Sequence, residues 1–430
     1  MSKKPNIVVI LADDLGYGDL ACYGRRDVQT PHIDRLAAEG LAFGDFHSNG
    51  AMCSPTRAAL LTGRYQQRAG IDEVVRKDEP GLPRNVVTIA DRLGEEGYRT
   101  SIFGKWHLGD RIENNPVHYG FDEFRGHTFG DSDYISHVDR RGDLDWWHNL
   151  ELENDEGYNT VLLTDYAERF IEANRDDPFF LYLSHTAIHF PWMTPDDPPH
   201  RRRGTDYTEW HPDMNTDLSK LGPHQNVGPV VRRMIEELDE STGRVIDTLK
   251  RLELEHNTLV FFASDNGGYR DYQGVHKGER PSNGPFRGQK TQMYEGGHRV
   301  PAIAWWPDLI SPGTETDETT MTMDLFPTFL DIADASRTSG DPRLDGVSLL
   351  PLLRQDADGL PERSLFWKMG QNFAVRDGRW KLVKNGDRDP ELYNLAKDPG
   401  EHLNVAEQNA EIVHRMETKR TDWKTDVQSP

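Results

Sequence analysis

The sequence predicts an α/β fold: a large, mostly parallel sheet sandwiched by helices, followed by a small C-terminal antiparallel sheet plus a helix. Three observations carry this. Runs such as Asn6 to Ala12 and Phe179 to Ser184 are continuously apolar. They lack the polar alternation of a half-exposed strand, so they read as strands buried on both faces, the habit of parallel sheets covered by helices. Between them lie stretches with a 3.6-residue apolar rhythm, the signature of covering helices. From about residue 361 the pattern changes to short strand-like pieces split by turns, so a main α/β domain over 1–360 and a C-terminal subdomain over 361–430 are expected.

The first strand, Asn6 to Ala12, ends in Asp13-Asp14. Thr30-Pro31 opens a helix, with Thr30 as N-cap, Pro31 at its first position and Gly40 as its stop. Met52 to Gly63 reads as a loop running into a short helix. Pro55 is tolerated only in a first turn, Ala58 to Leu61 are helix formers, and Gly63 ends it. A helix is expected over Val86 to Leu93. The strand Thr100 to Phe103 then runs into Lys105-Trp106-His107. Residues 110–160 read as one long irregular region holding Trp146-Trp147-His148. A helix over Val161 to Ala173 precedes the strand Phe179 to Ser184, which leads to His185 and His189. Residues 192–228, with Arg201-Arg202-Arg203, read as a long loop, a kind of segment that is often functional. Val231 to Leu252 keep the helical rhythm over the longest helix. Leu259 to Ala263 is a strand ending near Asp265-Asn266. Arg299 to Trp306 is a further strand and Met323 to Ala333 a helix. Beyond 361, Asp377-Gly378-Arg379 is a hairpin signal between Phe373 to Arg376 and Trp380 to Val383, and a last helix starts near 405.

Composition narrows the function. The 430 residues can bury a large core. A net charge of −22, from 72 acidic and 50 basic residues, argues against a nucleic-acid binder. It also means that an anionic substrate needs a local basic pocket. Only Cys22 and Cys53 are present, so at most one disulfide can form. No apolar run has the length of a membrane span. Strand-like sequence begins directly after Pro5. The chain as it stands is therefore expected in the cytoplasm, or in the periplasm or outside the cell if a leader has been removed. Nothing in the sequence sets an oligomeric state.

Four buried strands thus lead into Asp13-Asp14, Lys105/His107, His185/His189 and Asp265-Asn266. In a parallel sheet these ends share one edge, where open α/β sheets bind ligands. One strand ending in Asp is commonly a turn; four ending in ligand or acid–base residue types point to a site. Asp13, Asp14, Asp265 and Asn266 all offer oxygen, which selects Ca²⁺ or Mg²⁺ over zinc. Lys105 and His107 face one side if their segment stays extended. Cys53 stands at or just before a helix N-terminus, where the free N–H groups and the dipole favour an anion. Arg57, one turn on, lies on the same face.

The string Cys53-Ser54-Pro55-Thr56-Arg57, followed by Leu61-Thr62-Gly63-Arg64, resembles the signature of the formylglycine-dependent (type I) sulfatases of the alkaline phosphatase superfamily. The resemblance extends to Thr30-Pro31-His32-Ile33-Asp34-Arg35-Leu36, to Lys290 through Pro301, and to Leu392-Tyr393-Asn394-Leu395 with Asp398-Pro399-Gly400-Glu401. Thr56 departs from the commoner Ser or Ala. Among these enzymes the chain is most similar to carbohydrate sulfatases related to N-acetylgalactosamine-6-sulfatase and arylsulfatase A.

The resemblance implies that Cys53 is oxidised to Cα-formylglycine by a formylglycine-generating or anaerobic sulfatase-maturating enzyme. It implies calcium, with magnesium the alternative, on Asp13, Asp14, Asp265, Asn266 and an oxygen of modified Cys53. It further implies catalytic roles for Cys53, Arg57, Lys105, His107, His189 and Lys290. Asp265 is the candidate base for the attacking hydroxyl, His107 assists the second hydroxyl, and His189 with Lys290 protonates the leaving oxygen. The expected reaction is removal of sulfate from a sulfated carbohydrate, with aryl sulfates as surrogates. A phosphonate or phosphodiester hydrolase and a non-catalytic sulfated-glycan binder are the alternatives. Sugar contacts are expected from Trp146, Trp147, His148, Trp192, Arg201, Arg202, Arg203 and His276, as aromatic platforms and cations in long loops. His185 is placed behind the site, towards substrate, or in the core.

Overall fold

The computed structural model describes residues 4–211, 216–270, 281–335, 342–356 and 359–428. Its main sheet holds Asn6–Ala12 (β1), Leu41–Phe43 (β2), Arg99–Lys105 (β3), Glu123–His127 (β4), Trp147–His148 (β5), Glu151–Leu152 (β6), Phe179–Ser184 (β7), Thr258–Ser264 (β8), Ala302–Trp305 (β9) and Thr314–Thr316 (β10). Their order is β10-β2-β9-β8-β1-β7-β3-β4-β5-β6. The central run β8-β1-β7-β3-β4 is parallel. β9 runs antiparallel to β8, and β5 to β4.

Both faces of β1 are buried, as its unbroken apolar run requires. Ile7, Val9 and Leu11 pack in one core with Leu60, Ile89 and Phe329; Val8, Ile10 and Ala12 pack in the other with Ile33, Leu163 and Met234. These partners come from α1 (Pro31–Glu39), α2 (Cys53–Thr62), α3 (Ile89–Glu95), α4 (Asn159–Ala173), α5 (Gly228–Arg251) and α6 (Leu325–Ile332). Helices α2, α3 and α6 cover the first face, and α1, α4 and α5 the second. Among the described residues no helix is long and apolar enough to cross a membrane.

The register sets the level of the strand ends. Ala12 pairs with Ser264, Leu11 with Ser184, and Ser184 with Gly104. The residues that follow, Asp13, Asp265, His185 and Lys105, therefore leave the sheet side by side.

Several boundaries differ from the sequence reading. Thr30 stands at the N-cap position of α1, as expected, but its side chain makes no capping bond: its hydroxyl accepts from the Ala21 amide and donates to Asp34. The Asp239 carboxylate of α5 instead accepts from the His32 and Ile33 amides, at 3.2 and 2.7 Å. Helix α3 starts at Ile89 rather than Val86, because Thr88 and Asp91 form a reciprocal capping box. β9 starts at Ala302 because Pro301 has no amide to donate to a ladder. The region 110–160 contains β4, β5 and β6, and the loop 192–228 carries a small hairpin, Trp210–His211 with Thr216–Asp217.

The C-terminal sheet is an antiparallel meander of Ser364–Met369 (β11), Asn372–Asp377 (β12), Trp380–Lys384 (β13) and Glu391–Asn394 (β14), with α7 (Ala410–Val427) against it. The sequence reading missed β11. Its core, including Trp367, Val375, Leu382 and Met416, is continuous with Ala51, Ala59 and Tyr65 around α2. The small sheet thus rests against α2, the helix that begins at Cys53.

Candidate active site

Cys53 is the first residue of α2, follows an extended Met52, and is buried. Its Sγ lies 3.4 Å from Asp13 Oδ1. Burial, together with Asp13 and Asp265, pushes the thiol well above the usual cysteine range. Burial first, and the carboxylates after it, thus disfavour the thiolate that the helix N-terminus was expected to favour. An unmodified Cys53 therefore stays a thiol, and a thiol is a poor nucleophile.

The strand ends converge on it. After β1, the Asp13 amide bonds the Ala187 carbonyl at 2.8 Å, and Asp14 takes a positive φ of 61°. The Asp14 amide donates to Asp265 Oδ1 at 3.2 Å. Asn266 Nδ2 donates to Asp14 Oδ1 at 2.8 Å, as does Lys290 Nζ at 2.6 Å. Lys105, at the end of β3, is ion-paired with Asp13. Arg57 is buried and hydrogen-bonded through all three nitrogens: Nε and Nη2 donate to Asp265 Oδ2 at 3.2 and 2.8 Å, and Nη1 donates to the Lys105 carbonyl at 2.9 Å and to Ser184 Oγ. It holds Asp265, the Lys105 carbonyl and Ser184 in place.

His107 does not lie on an extended segment; its φ is 56°. The ring still reaches the site, because Gly130 leaves room for it: a Cβ there would stand 2.6 Å from His107 Nε2. Burial and then Lys105, Arg57 and Lys290 hold His107 well below the usual histidine range. His189 is held down likewise, by burial and then Lys290 and Lys105. Its Nδ1 lies 2.7 Å from the Phe190 carbonyl, which can only accept, so Nδ1 carries the proton and Nε2 faces Asp14 Oδ2 at 3.8 Å.

The charges are balanced but crowded. Burial, with repulsion from Asp265, lifts Asp13 to about 7 against the pull of Lys105. Burial would raise Asp265 too, but Arg57, Lys105 and Lys290 hold it below its ordinary value. Buried Asp14 Oδ2 and Asn266 Oδ1 find no hydrogen-bond partner among the described residues. Ligand atoms of Asp13, Asp14, Cys53 and His189 lie within 4.8 Å of one another. Unpartnered oxygens beside a carboxylate that resists ionisation are what a divalent cation would satisfy, and the mainly oxygen donor set suits a hard one.

The sequence profile of the Sulfatase family matches residues 5–335, and that of the N-sulphoglucosamine sulphohydrolase C-terminal region matches 286–426. The chain belongs to the sulfatase family. Human N-acetylgalactosamine-6-sulfatase is 32% identical over 96% of this chain and 84% of its own. N-acetylgalactosamine-6-O-sulfatase of Bacteroides thetaiotaomicron is 29% identical, covering 99% and 94%. The crystal structure of Ps i-CgsB with k-i-k-neocarrahexaose superposes with a TM-score of 0.85 at 28% identity, covering 100% of this chain and 94% of that one.

In this sulfatase a cavity of about 330 Å³ opens onto Cys53, His107, His189 and Lys290. Its wall is not the one expected from the sequence. Val74, Val75, Phe129, Phe190 and Tyr269 supply apolar surface, and Arg76, Lys77, Arg140 and Arg141 supply charge. A larger cavity of about 1050 Å³ contains none of the residues around Cys53.

The expected sugar contacts lie elsewhere. Trp146 is buried, stacked on His137 at 4.1 Å, with its Nε1 donating to Asp155. Trp147, on a two-residue strand paired on both sides, donates to Asp145. His148 pairs with Glu153 and Arg125. Trp192 is buried, its Nε1 on the Ile188 carbonyl. Arg201 is buried on Asp131 and, with Arg202 and Arg203, lines a different cavity. His185 is a core histidine: its Nε2 meets Ser241 of α5 at 3.0 Å, and burial depresses it to about 3. His276 lies outside the described residues. These groups were expected to face substrate because they are aromatic or charged and sit in loops. Buried polar partners hold most of them instead. Arg140 and Lys77 carried no sequence signal beyond a charge in a loop.

Proposed function

We propose that this sulfatase removes sulfate from a sulfated carbohydrate, with Cys53 converted to Cα-formylglycine and a calcium ion on Asp13, Asp14, Asp265 and Asn266. The observation that carries the reading is the meeting of four strand ends and the α2 N-terminus around one buried thiol whose ionisation burial opposes. Such a thiol is a weak nucleophile, and its oxidation to the aldehyde supplies hydroxyls in its place. Its burial also means that the maturating enzyme meets the Cys-Ser-Pro-Thr-Arg segment before the chain folds. The names of the relatives support a saccharide substrate.

The aldehyde hydrate supplies two hydroxyls, one to attack sulfur and one to release the sulfate, so the site resets without water attacking sulfur. Calcium, when bound, supplies positive charge to the sulfate oxygens. The chain's own residues do the rest. Lys105 and Lys290 neutralise charge developing on the sulfate. Arg57 fixes Asp265 and the Lys105 carbonyl, acting as a positioning residue. Asp265, kept ionised by Arg57, is the candidate base for the attacking hydroxyl. His107, neutral near pH 7, is a suitable base for the second hydroxyl. His189 is neutral in the free site; an anionic substrate favours its protonated form, so with Lys290 it delivers a proton to the leaving oxygen.

Catalytic efficiency on para-nitrophenyl sulfate and on bis(para-nitrophenyl) phosphate tests this directly. The sulfate is expected to win, and enzyme stripped by a chelator should recover with calcium more fully than with magnesium. Preference for the diester would identify a phosphodiesterase, and no turnover of either by Cys53-converted enzyme would identify a binding protein.

A further inference from the structure

We propose that Asn283 is a positioning residue for Lys290, its side-chain amide setting where the lysine stands beside Asp14; this rests on the role given to Lys290 under the sulfatase reading. Asn283 is buried and is not part of the cavity wall at Cys53. Its Oδ1 accepts from the Gly268 amide at 2.7 Å, and its Nδ2 donates to the carbonyls of Gly268 and Gly288, both at 3.0 Å. One N–H and two carbonyls around the group fix which end of the amide is oxygen, and both donors of Nδ2 are used. Gly268 follows Asp265-Asn266 at the end of β8, and Gly288 stands two residues before Lys290. One side chain thus ties the loop that carries Asp265 and Asn266 to the loop that carries Lys290.

Lys290 is held from two sides. Its own amide reaches the Gly268 carbonyl at a long 3.4 Å, and the next amide, that of Thr291, donates at 2.8 Å to the carbonyl of Ala51, two residues before Cys53. Asn283 reinforces the first, weaker side. The backbone between them is strained: the Gln292 amide closes a turn on the Gln289 carbonyl at 2.9 Å, and Thr291 inside it takes a φ of 75°, which a β-branched residue rarely adopts. Such a turn keeps its shape only where its surroundings fix it.

Asn283 is itself anchored to the loop after β1. The Ser282 amide donates to Asp19 Oδ1 and the Gly16 amide to Asp19 Oδ2, both at 2.7 Å, and the Gly18 amide donates to the Ser282 carbonyl at 2.8 Å. Buried Asp19 is ion-paired with Arg25. The approach is close, since a Cβ on Gly16 would stand 2.2 Å from the Ser282 carbonyl oxygen and 2.6 Å from Asn283 Oδ1. Three loops, carrying Asp14, Asp265-Asn266 and Lys290, therefore meet at Asn283. Their relative placement sets the 2.6 Å contact between Lys290 Nζ and Asp14 Oδ1.

The test is a double-mutant cycle on Cys53-converted enzyme turning over para-nitrophenyl sulfate, with melting temperatures measured alongside. Asn283→Asp keeps the shape and the acceptor but sets an oxygen against two carbonyls in place of both donors. It should lower kcat about tenfold to a hundredfold, as small displacements of a reacting group do, with KM changed less. In a Lys290→Met background the same substitution should cost less than about threefold, because the lysine it places is gone. Asn283→Ser, which removes the amide without adding charge, is the second variant and should behave likewise. A full rate in Asn283→Asp beside an impaired Lys290→Met overturns the proposal and leaves the sulfatase reading standing. An undiminished loss in the Lys290→Met background overturns it as well, since Asn283 would then act through Asp265 and Asn266 or through the fold. Failure of both Asn283 variants to fold assigns the residue to the fold as a whole, with the same consequence. A full rate in Lys290→Met strikes the role of Lys290, and the positioning role with it.

Discussion

Lys290 shows how much a single side chain carries here. It is buried, donates to Asp14 Oδ1 at 2.6 Å, and is held in its charged form by Asp14, Cys53 and Asp13 against the cost of burial. Lys290→Met removes a cation from a water-poor site and leaves Asp14 with one partner fewer. We expect kcat on an aryl sulfate to fall by about 10²–10³, the loss typical of one charge-stabilising donor, with KM changed less. A drop below threefold would remove Lys290 from the reaction. The sequence supplied this residue through the family pattern, but nothing in it told that Lys290 pairs with Asp14 and Lys105 with Asp13. Those pairings depend on which strands are neighbours. The misplaced sugar contacts have the same cause. Trp146 and Arg201 have the right chemistry, but Asp155 and Asp131 bind them in the interior.

Elements were legible where burial alone decides them. β1 and β7 carry the bounds read from their apolar runs, and α5 follows its periodicity. Very short strands such as Trp147–His148, and β11, were not legible, because pairing partners rather than local sequence make them strands. The close approach of the loop after β4 to the loop after β3 was also invisible. It depends on Gly130, whose missing side chain gives the His107 ring its seat. Gly130→Ala places a methyl group 2.6 Å from His107 Nε2, so the ring or the loop must move. We expect a loss in kcat of about tenfold to a hundredfold, as small misplacements of catalytic groups bring, with the melting temperature little changed. Normal kcat in this variant would show that His107 is not needed where it stands.

Across the whole molecule, the small sheet and the catalytic sheet are joined by buried charge. Lys381 of β13 reaches Glu295 and Glu401 at 2.8 and 2.9 Å, beside His298. Glu295 and His298 belong to the segment that carries Lys290. Burial raises Glu401 from 4.5 to about 7, although Lys381 pulls the other way. A carboxyl whose folded value is raised adds stability that is complete below about 4.5 and is lost as the pH climbs through about 7. Glu401→Gln should therefore flatten the dependence of melting temperature on pH across that window; an unchanged slope would show that Glu401 titrates normally. The charge of −22 opposes any anionic substrate at long range, so recognition falls to the few cations around the cavity.

The central claim is that buried Cys53 works only after oxidation. Preparations made with graded amounts of maturating enzyme can be matched by mass spectrometry of the Cys53 peptide and by turnover of para-nitrophenyl sulfate. The account predicts a rate proportional to the converted fraction, extrapolating to zero at none. A substantial rate in wholly unconverted protein would contradict it.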